Sequence, residues 1–321
     1  MEGEHDVVRR KKVLVWRVGG VGDTVLLIPV LRALRRHFPR SHIVVVGNPE
    51  PLSLAIPPAD EVRSADEALW ATLFSRPSDE LKDCLKNFEL AVVYTEDEVL
   101  VRNLEGIVGR VVCWPPLPGD ETHEAEHLLK ALQALGIRDE DPTPRIEAYK
   151  DLELKGKVLA VHPGSGSPEK NWPPDRFAEL ILWAEELGVS PLLICGPADR
   201  VAVEAVVDAL GRWVPIAKDL SLREVAGLLA RCSAFVGNDS GIAHIAAAVG
   251  TPTVVIFGPT EPKVWAPVGK DVRVVRASSG RTEDVPLQEV QEALFRMDRA
   301  LPPSTSSLSR PSRTSETNSK V

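Results

Sequence analysis

Three stretches of the 321-residue chain carry residue types and spacings suited to chemistry on a charged, hydroxyl-rich ligand. The first is Gly19-Gly20-Val21-Gly22-Asp23, which follows the apolar run Val13–Trp16. A lone carboxylate on a glycine turn projects without crowding and can take a proton from a hydroxyl. The second is HPGSGSPEKNWPPDR, residues 162–176, where Lys170 and Ser165 lie in a Pro- and Gly-rich loop. A cation there suits a phosphate, and the small residues free backbone N–H groups for the same anion. The third is VGNDSGIAHIAAAVGTPTVVIFGPTEP, residues 236–262. It reads as strand end, loop, helix, glycine stop, strand, loop. Asn238, Asp239 and Ser240 are capping types before the apolar run Ile242–Val249. Gly250 and then Pro252 close that helix, and Thr253–Phe257 is a buried strand. The helix N-terminus offers free N–H groups and a positive dipole end to a phosphate.

Each position also has an ordinary reading. Asp23 would cap a helix Thr24–His37, which lowers its proton affinity and makes it a weaker base. Lys170 would be a solvated loop lysine, His244 a satisfied core histidine, and Ser165 part of a plain tight turn. Asp199 in GPADR, or Glu204 one turn further on, could hydrogen-bond a ribose as an acid does in dinucleotide folds. The sequence does not choose between them. Trp172 and Trp265 could shape a nucleotide pocket, though packing is the commoner fate of tryptophan.

The elements that must position these residues follow an α/β plan. Lys12–Trp16 is a strand, Val25–His37 carries helical spacing, and Ile43–Val46 is the next strand: a βαβ unit with a parallel sheet. Ala65–Leu85 reads as a helix, Leu90–Tyr94 as a strand, and His123–Leu135 as a helix stopped by Gly136. Asp139–Pro144 is polar, carries two prolines and reads as a linker. The plan then restarts with a strand at Lys157–Val161, a helix Arg176–Leu187 that Asp175 can cap, and a strand Pro191–Cys195. A helix Val201–Leu210 and a helix Leu222–Arg231 capped at Ser221 precede the third stretch. Pro286–Leu301 is a closing helix, and the Ser/Pro-rich tail from Pro302 has a disordered composition. Two such halves point to a ligand held between the carboxyl ends of their strands.

Composition narrows the function classes. Hydrophobic content of 44% and charged content of 26% are ordinary for a globular protein. A net charge of -8 argues against nucleic acid as a partner. No apolar run is long enough to span a membrane and no secretory signal opens the chain, so a cytoplasmic location is expected. The four cysteines are scattered, no His/Cys cluster has zinc spacing, and Asp139-Glu140-Asp141 reads as linker charge beside Pro142 rather than a metal motif. No P-loop and no G-x-S-x-G elbow occurs.

Three blocks carry a family likeness: RVGGVGDTVLLIPVLRALRRHFP, HPGSGSPEKNWPPDRFAELI and GNDSGIAHIAAAVGTPTVVIFGPTEP. In order and separation the chain resembles glycosyltransferase family 9, the ADP-heptose:lipopolysaccharide heptosyltransferases. The resemblance implies the GT-B fold: two Rossmann-like, doubly wound domains with an interdomain cleft. Residues 1–145 would bind the acceptor, residues 146–301 the nucleotide sugar, and 302–321 would be the tail. It implies inverting transfer of heptose from ADP-heptose to a lipopolysaccharide core or related glycan, with no cofactor and no metal. Asp23 matches the catalytic base on a loop with Gly20 and Gly22 facing the acceptor. Lys170 matches a lysine on the donor phosphates. Asp239, Ser240, Gly241 and His244 match a D-[ST]-G-x-x-H block at the donor phosphate and sugar, with Ser165 and Thr260 lining the same pocket. The acceptor would be a glycan or lipid-linked glycan, with peripheral contact at the inner face of the cytoplasmic membrane. The alternatives are a nucleotide-sugar-binding protein, a sugar-nucleotide epimerase, or a transferase with another donor or a non-lipid acceptor.

Overall fold

The structure, a computed structural model, describes residues 10–119, 121–139, 141–148 and 154–297. The tail and the last residues of the expected closing helix lie outside the described residues. Among the described residues, eleven strands form two parallel sheets. The first lobe holds β1 (Lys12–Trp16), β2 (His42–Gly47), β3 (Glu61–Ser64), β4 (Phe88–Tyr94) and β5 (Val111–Trp114), in spatial order β3-β2-β1-β4-β5. The second holds β6 (Val158–His162), β7 (Ser190–Cys195), β8 (Ile216–Lys218), β9 (Ala234–Asn238), β10 (Thr253–Phe257) and β11 (Val272–Arg276), in order β11-β10-β9-β6-β7-β8. Each sheet therefore reverses its direction of growth once, between β1 and β4 and between β6 and β9. Ligands of open α/β sheets bind at that reversal, outside the carboxyl ends of the strands.

Period-two alternation divides each strand between two cores. Val13 and Val15 pack with Leu27 and Leu31 of the Val21–His37 helix, whereas Leu14 and Trp16 pack with Trp70, Leu81 and Leu100 on the opposite face. Both faces are covered, which is why the central strands read as unbroken apolar runs. In the second lobe Val161, Val236 and Ile256 face Trp172 and Phe177, while Ala160, Phe235 and Phe257 face Ala243 and Ala246. Val25 and Leu54 of the first lobe belong to this last cluster, so one apolar core spans both lobes.

Several expected elements differ. Ala65–Leu85 is not one helix: Ala68–Ala71 runs into a 3-10 turn at Thr72–Phe74, and a new helix starts at Asp79. Pro77 interrupts the backbone ladder, and the Ser78 side chain caps the second piece by accepting from Leu81 N. The first helix starts at Val21, so Asp23 sits inside its first turn rather than at the cap. Asp175 lies one residue inside the Pro174–Glu186 helix, whose cap position is Pro173. The expected linker is tied to the first helix: Arg36 pairs with Asp139, and Arg32 Nη1 donates to Thr143 O at 3.0 Å. Just beyond it, Ile146 N donates to Ala248 O at 3.1 Å, already in the second lobe.

Candidate functional site

In the first lobe the site grows from the carboxyl end of β1. Arg17 follows Trp16 and is buried, only 5% exposed. Its Nη2 donates to Glu124 Oε1 at 2.6 Å and to Asp23 Oδ1 at 3.3 Å, and its Nη1 donates to Pro116 O at 2.8 Å. Its guanidinium lies over the Tyr94 ring at the end of β4, 5.7 Å from the centroid. Asp23 Oδ2 accepts from Gly20 N at 2.8 Å, closing the helix's first turn. About a third of the Asp23 side chain remains exposed. The capping geometry and an open carboxylate thus coexist. Glu124 is fully buried; burial pushes its carboxyl up to about 7, with Asp23's charge adding to the shift and Arg17 opposing it.

In the second lobe two clusters flank the reversal between β6 and β9. Lys170 Nζ donates to Asp239 Oδ2 at 2.8 Å, and Thr260 Oγ1 donates to the same oxygen at 2.6 Å. Lys170 is therefore a paired cation, not a solvated one. Beside it, His162 at the end of β6 bridges Asp199 Oδ2 (Nε2, 3.0 Å) and Ser240 Oγ (Nδ1, 3.1 Å). Burial pushes the Asp199 carboxyl up, but the contact with His162 and a hydrogen bond from Gly196 N outweigh it and hold the group below its usual range. With Asp199 ionised, the His162 Nε2–H donates to it, which leaves Nδ1 to pair with the Ser240 hydroxyl. Ser240 stands at the cap of the Gly241–Ala248 helix without capping it, because its hydroxyl is engaged by His162.

The lobes meet at two helix first turns. A Cβ on Gly241 would fall 2.4 Å from Val21 Cβ, and one on Gly22 would lie 3.4 Å from the His244 ring. Gly241 is therefore a close-approach residue, whatever else its N–H group does, whereas a Cβ at Gly22 would make only ordinary contact with the His244 ring. His244 is 5% exposed and its Nδ1 has no partner among the described residues. Burial drives it down to about 4, with Asp239, His123, Asp23 and Lys170 contributing smaller charges of both signs. Two of these four belong to each lobe, so His244 sits where the two halves of the site converge. His123 strengthens the joint: its Nδ1 accepts from Ala125 N and its Nε2 donates to Ala266 O at 2.8 Å, across the lobes.

Other expected residues are spent elsewhere. Ser165 Oγ is engaged within its own loop by Ser167 O and Asn171 Oδ1, at 2.6 and 2.7 Å. Glu204 is exposed on its helix, while Asp199 is the buried acid of the pair. Trp172 is core, its Nε1 bonded to Val285 O at 3.0 Å. The sequence gives no prominence to Arg17 or Glu124. A cation directly after a buried strand is a usable signal for Arg17; an acid in a helix's first turn gives none for Glu124. Among the described residues no group of three or more His, Cys, Asp and Glu is placed to hold a metal ion.

A family model described as glycosyltransferase family 9 (heptosyltransferase) matches residues 125–294, over half of the chain. The chain belongs to glycosyltransferase family 9. One relative, lipooligosaccharide heptosyltransferase 2 of Haemophilus influenzae, is 30% identical over 152 residues, covering 44% of this chain and 44% of that protein. The chain thus matches under half the length of that curated relative. The family 9 transferase of Veillonella parvula superposes with a TM-score of 0.76 at 21% identity, covering 89% of this chain and 97% of that one. E. coli heptosyltransferase WaaC with ADP superposes at 0.71 and 18% identity, covering 89% and 100%. Both confirm the GT-B arrangement of two Rossmann-like lobes for this family 9 chain.

Proposed function

We propose that the protein transfers heptose from ADP-heptose to a lipopolysaccharide core or related glycan acceptor, with inversion at the anomeric carbon. Residues 1–145 hold the acceptor and residues 146–301 the donor. The observation that carries this reading is the meeting of the two lobes: Asp23 on one, and Asp239 and Lys170 on the other, all around His244. The family, the names of the relatives and the ADP complex of WaaC support the donor.

Asp23 takes the proton as the acceptor hydroxyl oxygen forms its bond to the anomeric carbon from behind. The bond from that carbon to the phosphate oxygen breaks, and its electron pair leaves on the diphosphate. Lys170 and the N-terminus of the Gly241–Ala248 helix meet the charge that develops there. Thr260 holds Asp239 towards the sugar, and Asp199 reaches the nucleotide side through His162 and Ser240. The reaction takes place in the cytoplasm, with the protein peripheral at the inner face of the membrane.

The test separates binding from chemistry. Asp23→Asn keeps its calorimetric affinity for ADP-heptose and loses turnover by about 10²–10⁴-fold, the usual contribution of a general base. Lys170→Met shows the opposite emphasis, weakening ADP binding before it touches the proton step. An Asp23→Asn protein that turns over like the wild type ends the assignment of the base.

A further inference from the structure

Glu124 opens the Glu124–Lys130 helix of the first lobe and has no contact with solvent. A buried carboxylate is costly unless it is partnered. Its Oε1 accepts from Arg17 Nη2 at 2.6 Å, while Oε2 has no partner among the described residues. The same guanidinium nitrogen reaches Asp23 Oδ1 at 3.3 Å. Arg17 is fixed from two further sides, by the Pro116 carbonyl and by the Tyr94 ring. One immobile cation thus serves two carboxylates, and it lies closer to the one that is sealed from water.

We propose that Glu124 is a positioning residue for the transfer: it draws the shared Arg17 guanidinium inward, so that Asp23 is aimed by the cation without being neutralised by it. The proposal rests on the reading of Asp23 as the base. A carboxylate in a full ion pair has a low proton affinity and is a poor base. A carboxylate at the long end of a shared cation keeps its direction and more of its basicity. With Glu124 ionised, Arg17 is divided between two anions. With Glu124 neutral, the whole cation falls to Asp23.

Burial pushes Glu124 up to about 7, so this division changes with pH near neutrality. The charged and titratable groups facing it are Arg17 from the segment after β1, Asp23 from the first helix and Tyr94 from β4. Burial raises the Tyr94 phenol well above its ordinary range, and its OH donates to Leu128 O at 2.8 Å, so it stays neutral here. The titration near neutrality is therefore that of Glu124, with Arg17 and Asp23 as the charges it faces.

Glu124→Gln in the full-length protein tests this, because the amide keeps the size and can still accept from Arg17. The expected result is a fall in kcat of about fivefold at pH 8 with donor KM unchanged, the signature of a weakened base. The wild type gains turnover across the range around 7, and the variant loses that rise. Glu124→Asp restores a carboxylate and recovers part of both, and it is read alone if the Gln variant does not fold. A kcat and a pH profile that superimpose on the wild type overturn the proposal, as does an Asp variant with no recovery. Asp23→Asn is run in parallel. If it retains turnover, the base reading itself has failed. If it is inactive while Glu124→Gln behaves like wild type, only the role given to Glu124 has failed.

Discussion

Protonating His244 means placing a charge on a ring that has almost no access to water and an unpartnered Nδ1. Its folded value of about 4 lies below the ordinary 6.5, so the unfolded chain takes up the proton first as pH falls. The stability this contributes is complete above 6.5 and is lost progressively as pH drops towards 4. Between pH 7 and pH 5 the loss is roughly 2 kcal/mol at 1.36 kcal/mol per unit. Glu124 works in the opposite direction over much of the same range, since its folded value is raised and its contribution falls as pH rises. Comparing variants at two pH values removes that background. Taken from pH 7 to pH 5 in urea unfolding, the wild type should lose roughly 2 kcal/mol relative to His244→Gln, whose own change is left to Glu124. An equal change in both proteins would mean that the ring is not shielded in solution. At this scale the sequence brings out Asp23, Lys170, Asp239 and Ser240, because unusual residue types sit on glycine-rich loops. It is silent about their partners. That Lys170 finds Asp239, 69 positions away, is decided by neighbouring strand ends and not by any local pattern.

Among the elements, the buried strands are the most legible. Thr253–Phe257 and Ala234–Asn238 are short, apolar and buried throughout, and no helical period competes with them. Gly250 and Gly136 stop their helices in the left-handed region, as glycine after a helix does. Ala65–Leu85 misleads because its apolar spacing persists through a break made by Pro77 and Ser78. Gly241 carries a separate lesson. Read locally, it is a phosphate-facing amide at a helix start; in the fold it is also the point where two helices come too close for a side chain. Helix propensity alone favours alanine over glycine. Gly241→Ala should nevertheless lower stability by about 1–3 kcal/mol, because the added methyl meets Val21 Cβ and backbone instead of a flexible side-chain end. Urea unfolding reads the sign directly, and a stabilised variant would show that the two helices separate easily.

Across the whole molecule, the two α/β halves can be read from the repeated plan, but their mutual orientation cannot. It is set by a shared core through Val25 and Leu54, by His123 on Ala266, and by Arg223 on the carbonyls of Ser53 and Ile56 at 2.8 and 3.1 Å. None of these joins residues with any sequence signature of pairing. The same scale bears on the membrane. No helix among the described residues is long and apolar enough to cross one. Yet Val18 and Leu117, 62% and 57% exposed, flank Arg17 and Pro116, whose hydrogen bond brings the two loops together at the mouth of the first lobe. Under the proposed function, these two exposed apolar side chains would meet the hydrocarbon end of a lipid-linked acceptor. Val18→Ser with Leu117→Ser should raise KM for the lipid-linked acceptor by about tenfold and leave that for its delipidated glycan alone. Equal effects on both would remove the two side chains from any part in membrane contact.

The ion pair between Lys170 and Asp239, braced by Thr260, has one further consequence. An incoming anion does not find a bare cation; it has to outbid a carboxylate already in contact with it. A lone phosphate, with little else to grip, gains almost nothing from that exchange. A ligand that brings two phosphates, a sugar and a base gains enough from the remaining contacts to make the exchange worthwhile. On the proposed reading of Lys170 as a donor-phosphate contact, the resting protein would carry its own competitor, one that favours a full nucleotide-sugar donor over small anions.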